Sequence, residues 1–338
     1  MNRCEPVLTA SLYCSQHLDS LVHAAVGPFL RGLREQDPGG DWSLWMVRYS
    51  RCGEHLKVRL HGPRDRCPLA RRLLAEAVQA HFDALPAPVP GAPRASRGDI
   101  PAIDEDDERE EDYPDRTLSW TRYRRSHVSL GPAPFLDDDR YAGLMAACLA
   151  SAADLVLDGL RPDASGQVPH SLRQRILLRA LVAGLSGLDL AGGPAAYLAY
   201  HRDWLLRFYA EDADREEEVR GQFDARVEQM PGTLEPLRRV AAAQLVGEAA
   251  GGSAGEPHGR DWPGALAGLH AYLAGFRGDP AYHVDPFAPD PVFPPIFKVF
   301  HGLANQLGLS STNEAFVHHL LLRATAGQEA GSTAAAGV

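Results

Sequence analysis

Residues 55–61 read HLKVRLH, and this stretch decides the fold class. Leu56, Val58 and Leu60 alternate strictly with polar or cationic side chains, which is the period of a β-strand with one apolar and one polar face. Residues 42–50, WSLWMVRYS, are predicted to form the preceding strand. The four residues between the two segments include a glycine, as a short hairpin requires. The segment therefore predicts an antiparallel β-hairpin.

The surrounding segments extend this hairpin into a small antiparallel sheet. Residues 7–14 are rich in β-formers, and residues 117–125 are predicted to return to the sheet as a further strand. Residues 16–35 carry an apolar stripe at helical spacing, and residues 66–84 are also predicted to be helical. The N-terminal part is therefore predicted to be βαββα, with its helices on one side of the sheet.

From about residue 137 the pattern becomes helical, so we predict the α+β class, with the sheet-containing half packed on a mainly helical C-terminal half. We place a sheet-containing portion at 1–130, with an acidic loop at 86–115, and a helical portion at 131–325. The two are expected to form one integrated domain, followed by a disordered tail at 326–338. Helices are predicted at 137–158, 170–187, 194–210, 212–229, 233–249, 261–276, 295–307 and 312–325.

Composition excludes several classes of protein. The 338 residues are 45% hydrophobic and 23% charged, which is ordinary for a globular protein. The net charge of −10 argues against nucleic acid as a partner, although much of it lies at 104–115. We find no long apolar run and no signal peptide, so neither a membrane partner nor secretion is expected, and we predict a cytoplasmic protein. Five cysteines without Cys-x-x-Cys favour reduced thiols over a metal site.

The sequence contains no strong catalytic signature. There is no phosphate-binding glycine loop, no Gly-x-Ser-x-Gly and no His-Glu-x-x-His, so neither a metal nor another cofactor is expected. An enzyme of this kind would work by positioning and general acid–base chemistry. The polar face of residues 55–61 has two interpretations: a surface in bulk solvent, or a cationic cleft covered by the helical half.

Residues 300–309, FHGLANQLGL, form the second informative stretch. His301 and Asn305 are four residues apart and share a helix face, and Gly308 suits a C-cap. A polar cluster near a helix end indicates a site, although a lone histidine is more often structural. The following pair, His318-His319, is expected at the surface.

Residues 42–49, residues 55–62 and the pair His301 and Asn305 resemble the C-terminal, elimination-type domain of lanthipeptide dehydratases and its stand-alone relatives in thiopeptide clusters. The resemblance covers about residues 7–325. It implies one of two activities: removal of glutamate from glutamylated Ser or Thr, or pyridine synthesis. A pyridine synthase joins two dehydroalanines by a formal aza-[4+2] cycloaddition and then expels water and the leader peptide, closing the thiopeptide macrocycle.

Departures from the elimination pattern favour the pyridine synthase. Such domains read Arg-x-Arg where this chain has Lys57-Val58-Arg59, and they have an arginine where this chain has Gln306. The segment at 123–126, YRRS, also replaces Tyr-x-Arg-Glu. A site for a glutamyl carboxylate favours bidentate arginines, so their loss indicates a different substrate.

The resemblance implies a leader-bearing, modified precursor peptide as the partner, with other biosynthetic enzymes as further partners. We expect His301 to contribute most to catalysis. Glutamate elimination, as part of a split dehydratase, is the alternative, and a non-catalytic peptide-binding scaffold is the second. The other candidate catalytic residues are Tyr123, Tyr282, His283 and Gln306; the candidates for substrate or leader binding are Trp45, Lys57, Arg59, Arg71, Arg72 and Arg125.

Overall fold

The structure is a computed structural model. It describes residues 6–14, 18–49, 54–86, 114–121, 123, 133–135, 137–162, 167–209, 213–246 and 261–326. The chain divides into two compact units, Met1–Pro169 and His170–Val338. Because the helix Asp139–Gly159 falls in the first unit, this division lies later in the chain than the boundary that we placed near residue 130.

The first unit contains the predicted four-stranded antiparallel sheet, with strand order β2-β3-β1-β4. Its β-α-β-β-α order is confirmed, and α4 packs on β2. The bounds are β1 (Leu8–Tyr13), α1 (Leu18–Leu21), a π-helical turn (Val22–Val26), α2 (Gly27–Gln36), β2 (Ser43–Tyr49), β3 (His55–His61), α3 (Cys67–Ala84), β4 (Thr117–Thr121) and α4 (Asp139–Gly159).

The first predicted helix is interrupted by the π-helical turn. Pro28 has no N–H to donate to the carbonyl four residues earlier, which disfavours a regular α-helical turn there. The N–H of Gly27 instead bonds the carbonyl of Val22, five residues back, as in a π-turn. A periodicity of apolar residues does not distinguish these two turns.

Two faces of the sheet follow from its register. Arg59 of β3 lies opposite Thr9 of β1 and Trp45 of β2, and Lys57 lies opposite Ser11 and Val47. Directly opposed residues share a face, so β3 carries its cations on a largely polar face, while Leu56, Val58 and Leu60 lie on the apolar one. All these β3 side chains are buried, and Arg59 has no exposed surface. This burial excludes the bulk-solvent interpretation.

One helix of the first unit, α4, is long and apolar enough to cross a membrane by length and composition. Its most apolar window has a mean hydropathy of 1.4, but 56% of that window is buried within the protein. Asp138 caps its start, accepting hydrogen bonds from the backbone N–H groups of Arg140 and Tyr141. Such burial is typical of the core helix of a soluble protein.

The second unit is helical, as predicted. Its last helix, α11, packs most extensively on α6 and also contacts α5, α7 and α8. The bounds are α5 (His170–Leu185), α6 (Gly193–Tyr209), α7 (Ala213–Glu228), α8 (Pro231–Ala241), α9 (Trp262–Ala274), α10 (Phe293–Leu307) and α11 (Ser311–Thr325).

Candidate functional site

The predicted site histidine, His301, lies beside a buried carboxylate. The helix that carries it, α10, ends at Gly308, whose φ of 72° is the left-handed conformation predicted for a C-cap. Ser310 then caps α11, so the chain turns back at once and Glu314 lies in the first turn of the next helix. His301 Nδ1 is 2.8 Å from Glu314 Oε2. The imidazole is 29% exposed, whereas the carboxylate is 1% exposed.

The second oxygen of this carboxylate binds another histidine. His201 Nε2 is 2.7 Å from Glu314 Oε1, and His201 Nδ1 is 3.0 Å from the hydroxyl of Tyr197. Tyr197 and His201 are four residues apart on α6 and therefore share one face. Three helices thus contribute to one chain of hydrogen bonds, from Tyr197 through His201 and Glu314 to His301.

The electrostatics of this chain of hydrogen bonds favour the ionised form of Glu314 between the two imidazoles. Burial alone would raise the pKa of Glu314, but the charge of His301 and hydrogen bonds from His201 and His301 hold it well below its usual range. Burial lowers the pKa of His201 despite its bond to Glu314. His201 is therefore neutral near pH 7, and its Nε2–H donates to the carboxylate while its Nδ1 accepts from Tyr197.

The pair His318-His319, expected at the surface, is instead buried, so that prediction was wrong. His318 Nδ1 donates to the backbone carbonyl of Glu314, and its ring centroid lies 3.8 Å from that of His201. His319 lies between Asp224, 3.1 Å from Nε2, and Arg202, 3.3 Å from Nδ1. Both histidines are buried because α11 packs against α6 and α7. These two helices place polar side chains opposite them, namely His201 and Arg202 on α6 and Asp224 on α7.

Burial of His318 predicts acid sensitivity of the second unit. Burial, with a smaller contribution from His201, lowers the pKa of His318 to about 3. The unfolded chain binds this proton near pH 6.5, so it holds about one more proton than the folded chain between about pH 3 and 6.5. Stability is therefore expected to fall as the pH drops through this window, and His318→Phe should reduce the slope by about one proton.

Urea unfolding of the full chain between pH 4 and 8 measures this slope. The matched change His170→Phe, at the exposed start of α5, is expected to leave it unaltered. A His318→Phe slope equal to that of the wild type would contradict the assignment.

The remaining predicted residues of the second unit are Tyr282, His283 and Gln306. Tyr282 is half-buried, with its ring centroid 4.3 Å from that of Phe276. His283 is exposed, and its Nε2 donates to the carbonyl of Arg277. Gln306 is fully buried on α10. Their role in catalysis stays a prediction.

In the first unit, the predicted cationic strand is lined with aromatic rings. The Arg59 guanidinium lies 4.3 Å from the Trp45 ring centroid and 5.4 Å from that of Tyr123. The Lys57 ammonium lies 4.8 Å from the Tyr49 centroid. Cation–π attraction of this kind strengthens when water is excluded, as it is around Arg59. The Trp45 side chain is itself buried, so it is a structural partner of Arg59 in this structure.

One further group on this polar face has an altered titration. Burial, together with the nearby charge of Arg59, lowers the pKa of His61 to about 4. His61 is therefore neutral near pH 7, and its Nε2 accepts a hydrogen bond from the Trp45 indole N–H at 3.3 Å. The neutral ring places no second charge next to Arg59.

The predicted leader-binding arginines lie on α3. Arg71 and Arg72 are both exposed, and the Arg71 guanidinium stacks over the Trp120 ring at 4.6 Å. Arg125 lies outside the described residues.

Sequence reasoning missed Glu314, His201 and Tyr197. The four-residue spacing of Tyr197 and His201 could have predicted that they share a helix face. Nothing in the sequence connects either residue to Glu314. Among the residues that the structure describes, no group of three or more His, Cys, Asp or Glu side chains could hold a metal ion. A carboxylate hydrogen-bonded to two imidazoles is suited to proton transfer.

Comparisons with known proteins agree with this architecture. The family model described as Lantibiotic biosynthesis dehydratase C-term matches residues 8–325. The chain is similar to the structure of the pyridine synthase TbtD from thiomuracin biosynthesis, with 19% identity, a TM-score of 0.65, and coverage of 95% of this chain and 97% of that one. It is also similar to TsrL, with 16% identity, a TM-score of 0.58, and coverage of 94% and 93%.

A third similar structure is the tRNA-dependent lantibiotic dehydratase MibB from Microbispora sp. 107891. The identity is 18% and the TM-score is 0.52, and the match covers 96% of this chain but 28% of MibB. No curated protein matches the sequence. At these identities the similarities to solved structures establish the fold.

Proposed function

Because the chain belongs to the family of lantibiotic biosynthesis dehydratase C-terminal domains, we propose that it is a cytoplasmic enzyme acting on a modified, ribosomally made precursor peptide. Our finer proposal is a thiopeptide pyridine synthase, which needs no cofactor. The observation that carries it is the partly exposed His301 imidazole, anchored by the buried Glu314 carboxylate and suited to moving protons. The fold shared with a pyridine synthase over nearly the full length of both chains supports it.

The proposed substrate is a leader-bearing peptide with thiazoles and two distant dehydroalanines. The first task is to bring two parts of a flexible chain together. In well-oriented systems this entropic contribution is worth ~7–11 kcal/mol of the barrier. A protein surface can supply such positioning without help from a metal or a nucleotide.

The chemical steps require proton transfers and no oxidant. One dehydroalanine amide gives up its N–H proton and gains a proton on its carbonyl oxygen, forming the iminol. Two carbon–carbon bonds then form between this azadiene and the second dehydroalanine. The hydroxyl leaves as water, and the leader leaves as its carboxamide, which makes the ring aromatic. We propose that Nε2 of His301 accepts the amide proton and later donates to a leaving group.

The other candidate residues divide by exposure. Those with exposed surface are proposed as further proton donors or acceptors, namely Tyr123, Tyr282 and His283. Those that are almost fully buried are proposed to hold neighbouring residues of their own unit in place without touching the peptide, namely Trp45, Lys57, Arg59 and Gln306.

Glutamate elimination is the alternative, because Lys57 and Arg59 form a cationic pair on β3. A paired assay separates the two activities. The purified chain is incubated with a glutamylated peptide and, separately, with a thiazole peptide carrying two dehydroalanines. Release of glutamate from the first identifies an eliminase, whereas release of the leader carboxamide from the second identifies a pyridine synthase. Tight leader binding without either reaction identifies a scaffold.

We propose that the leader contacts the exposed arginines of α3. Reversing both charges, Arg71→Glu with Arg72→Glu, is expected to weaken binding of an acidic leader about tenfold at low salt and less at high salt. Fluorescence anisotropy of a labelled leader peptide measures this change.

A matched double reversal, Arg175→Glu with Arg179→Glu, changes two exposed arginines on α5 by the same charge. It should leave leader binding within about twofold of the wild type, since its effect is long-range and screened. Equal affinities for the two double variants would remove α3 as the leader contact.

A further inference from the structure

We propose that Glu314 is a positioning residue that fixes the tautomer of His301, so that Nδ1 carries the proton and Nε2 is the reacting nitrogen. This inference rests on the proposed acid–base function of His301. The carboxylate does not itself need to touch the peptide, because it is 1% exposed and its oxygens bond His301 and His201. Its action passes through His301, whose imidazole is the partly exposed member of the chain.

The number of acceptors explains why a carboxylate occupies this position. Glu314 receives an N–H from His201 on one oxygen and an N–H from His301 on the other. A carboxylate offers two acceptor oxygens, whereas a glutamine amide offers one acceptor oxygen and one donor nitrogen. With an amide at position 314, one of the two imidazoles must change its tautomer or lose its bond.

Tyr197 biases which imidazole changes. The Tyr197 hydroxyl is buried, 3.0 Å from His201 Nδ1, and burial raises the pKa of Tyr197, so the phenol keeps its proton near pH 7. Donation from the phenol to Nδ1 keeps the His201 proton on Nε2, pointing at Glu314. The His301 ring is partly exposed, and the contact described for it is the bond from Nδ1 to Glu314. A change of tautomer therefore costs less at His301 than at His201, where both ring nitrogens are bonded.

The groups that face this pair are limited in the described part of the chain. Tyr197 and His201 approach from α6, and His318 lies on the same helix as Glu314 with its Nδ1 on the Glu314 carbonyl. His319, one residue further along, has different partners: Asp224 on α7 and Arg202 on α6. Asp224 therefore forms a second acid–histidine pair, in which the histidine is buried and does not bond Glu314.

This second pair provides a matched control. The test compares Glu314→Gln with Asp224→Asn, each a carboxylate-to-amide change beside a histidine of the same unit. For Glu314→Gln we expect kcat to fall about 10²–10⁴-fold with KM within about threefold, because the binding surface is kept and the reacting nitrogen is lost. Asp224→Asn should keep the wild-type kcat and KM.

The tautomer itself is read by nitrogen-15 NMR of imidazole-labelled protein, with the His301 signal assigned by its loss in His301→Asn. The wild type should show a protonated Nδ1 at His301, and Glu314→Gln should show a protonated Nε2. This readout needs no turnover, so it still tests the inference if the chain converts no peptide. An unchanged tautomer, or a kcat within threefold of the wild type, would overturn it.

Should Glu314→Gln fail to fold, Glu314→Asp keeps the anion on a shorter side chain. It is expected to retain the wild-type tautomer and to recover part of kcat, because a charged acceptor remains. If Glu314→Asp were as active as the wild type and also lacked the protonated Nδ1, a positioning role would be contradicted.

Discussion

Replacing His301 with asparagine is expected to lower turnover of the peptide at least about 10³-fold, because the imidazole serves both as base in forming the iminol and as acid at a leaving group. Asparagine can still donate a hydrogen bond to Glu314, so the buried carboxylate keeps a partner and the fold is preserved. Peptide binding should change little. Stopped assays followed by mass spectrometry, together with anisotropy for binding, measure the two quantities separately.

His170→Asn is the control for this experiment, since His170 is exposed at the start of α5. It should turn over the peptide at the wild-type rate. Turnover within tenfold of the wild type in His301→Asn would show that His301 does not transfer the protons. Tyr282 and His283 would then be the candidate proton donors and acceptors.

The largest expected effect on stability follows from Gly62→Ala. Trp42 is fully buried, and a Cβ at Gly62 would lie 2.2 Å from its Cε3. The indole N–H donates to Asp37 at 3.0 Å, so the ring cannot move without weakening this bond, and Arg34 holds the backbone by donating to the Trp42 carbonyl. Overpacking of this kind costs about 3 kcal/mol, which lowers Tm by roughly 5–10 °C.

Gly32→Ala is the matched control for Gly62→Ala, because no atom lies within 4 Å of its added Cβ. At this helical position alanine should stabilise the protein slightly. Differential scanning calorimetry of both variants measures the shift. A Gly62→Ala protein as stable as the wild type would show that the Trp42 ring is not fixed against this glycine.

Trp42 and Gly62 also explain part of the family resemblance. The resemblance was carried by segments 42–49 and 55–62, which are neighbouring strands whose ends meet where the indole lies against Gly62. Arg34, which holds the Trp42 carbonyl, also pairs with Asp154 of α4 at 3.1 Å. The two segments are therefore parts of one packing unit, and the glycine is required by the tryptophan.

The elements of the fold could be predicted because their signals are local. Strict alternation at 55–61 predicted β3, and Gly308 predicted the end of α10, because each signal lies within the element or directly beside it. The π-helical turn at Val22–Val26 was missed, because apolar spacing is similar in both helix types. The strand predicted at 117–125 is described only to Thr121, and Tyr123 follows outside it.

The site was predictable only in part, because its partners come from distant segments. His301 was recognisable from its helix, but Glu314 and His201 are 113 residues apart and meet through the packing of α11 on α6. The same packing buries His318 and His319, which we expected at the surface from the sequence. Burial of Lys57 and Arg59 likewise depends on tertiary structure. The alternation of residues along a strand does not predict whether its polar face is covered.

This chain is proposed to close a pyridine ring between two dehydroalanines. The most direct measurement is the intact mass of the products after the purified chain meets a synthetic, leader-bearing thiazole peptide with two dehydroalanines. We expect one macrocyclic product lighter than the substrate by one water and the leader carboxamide, with the carboxamide itself also detected. Recovery of unchanged peptide by a folded chain that binds the leader would contradict the claim.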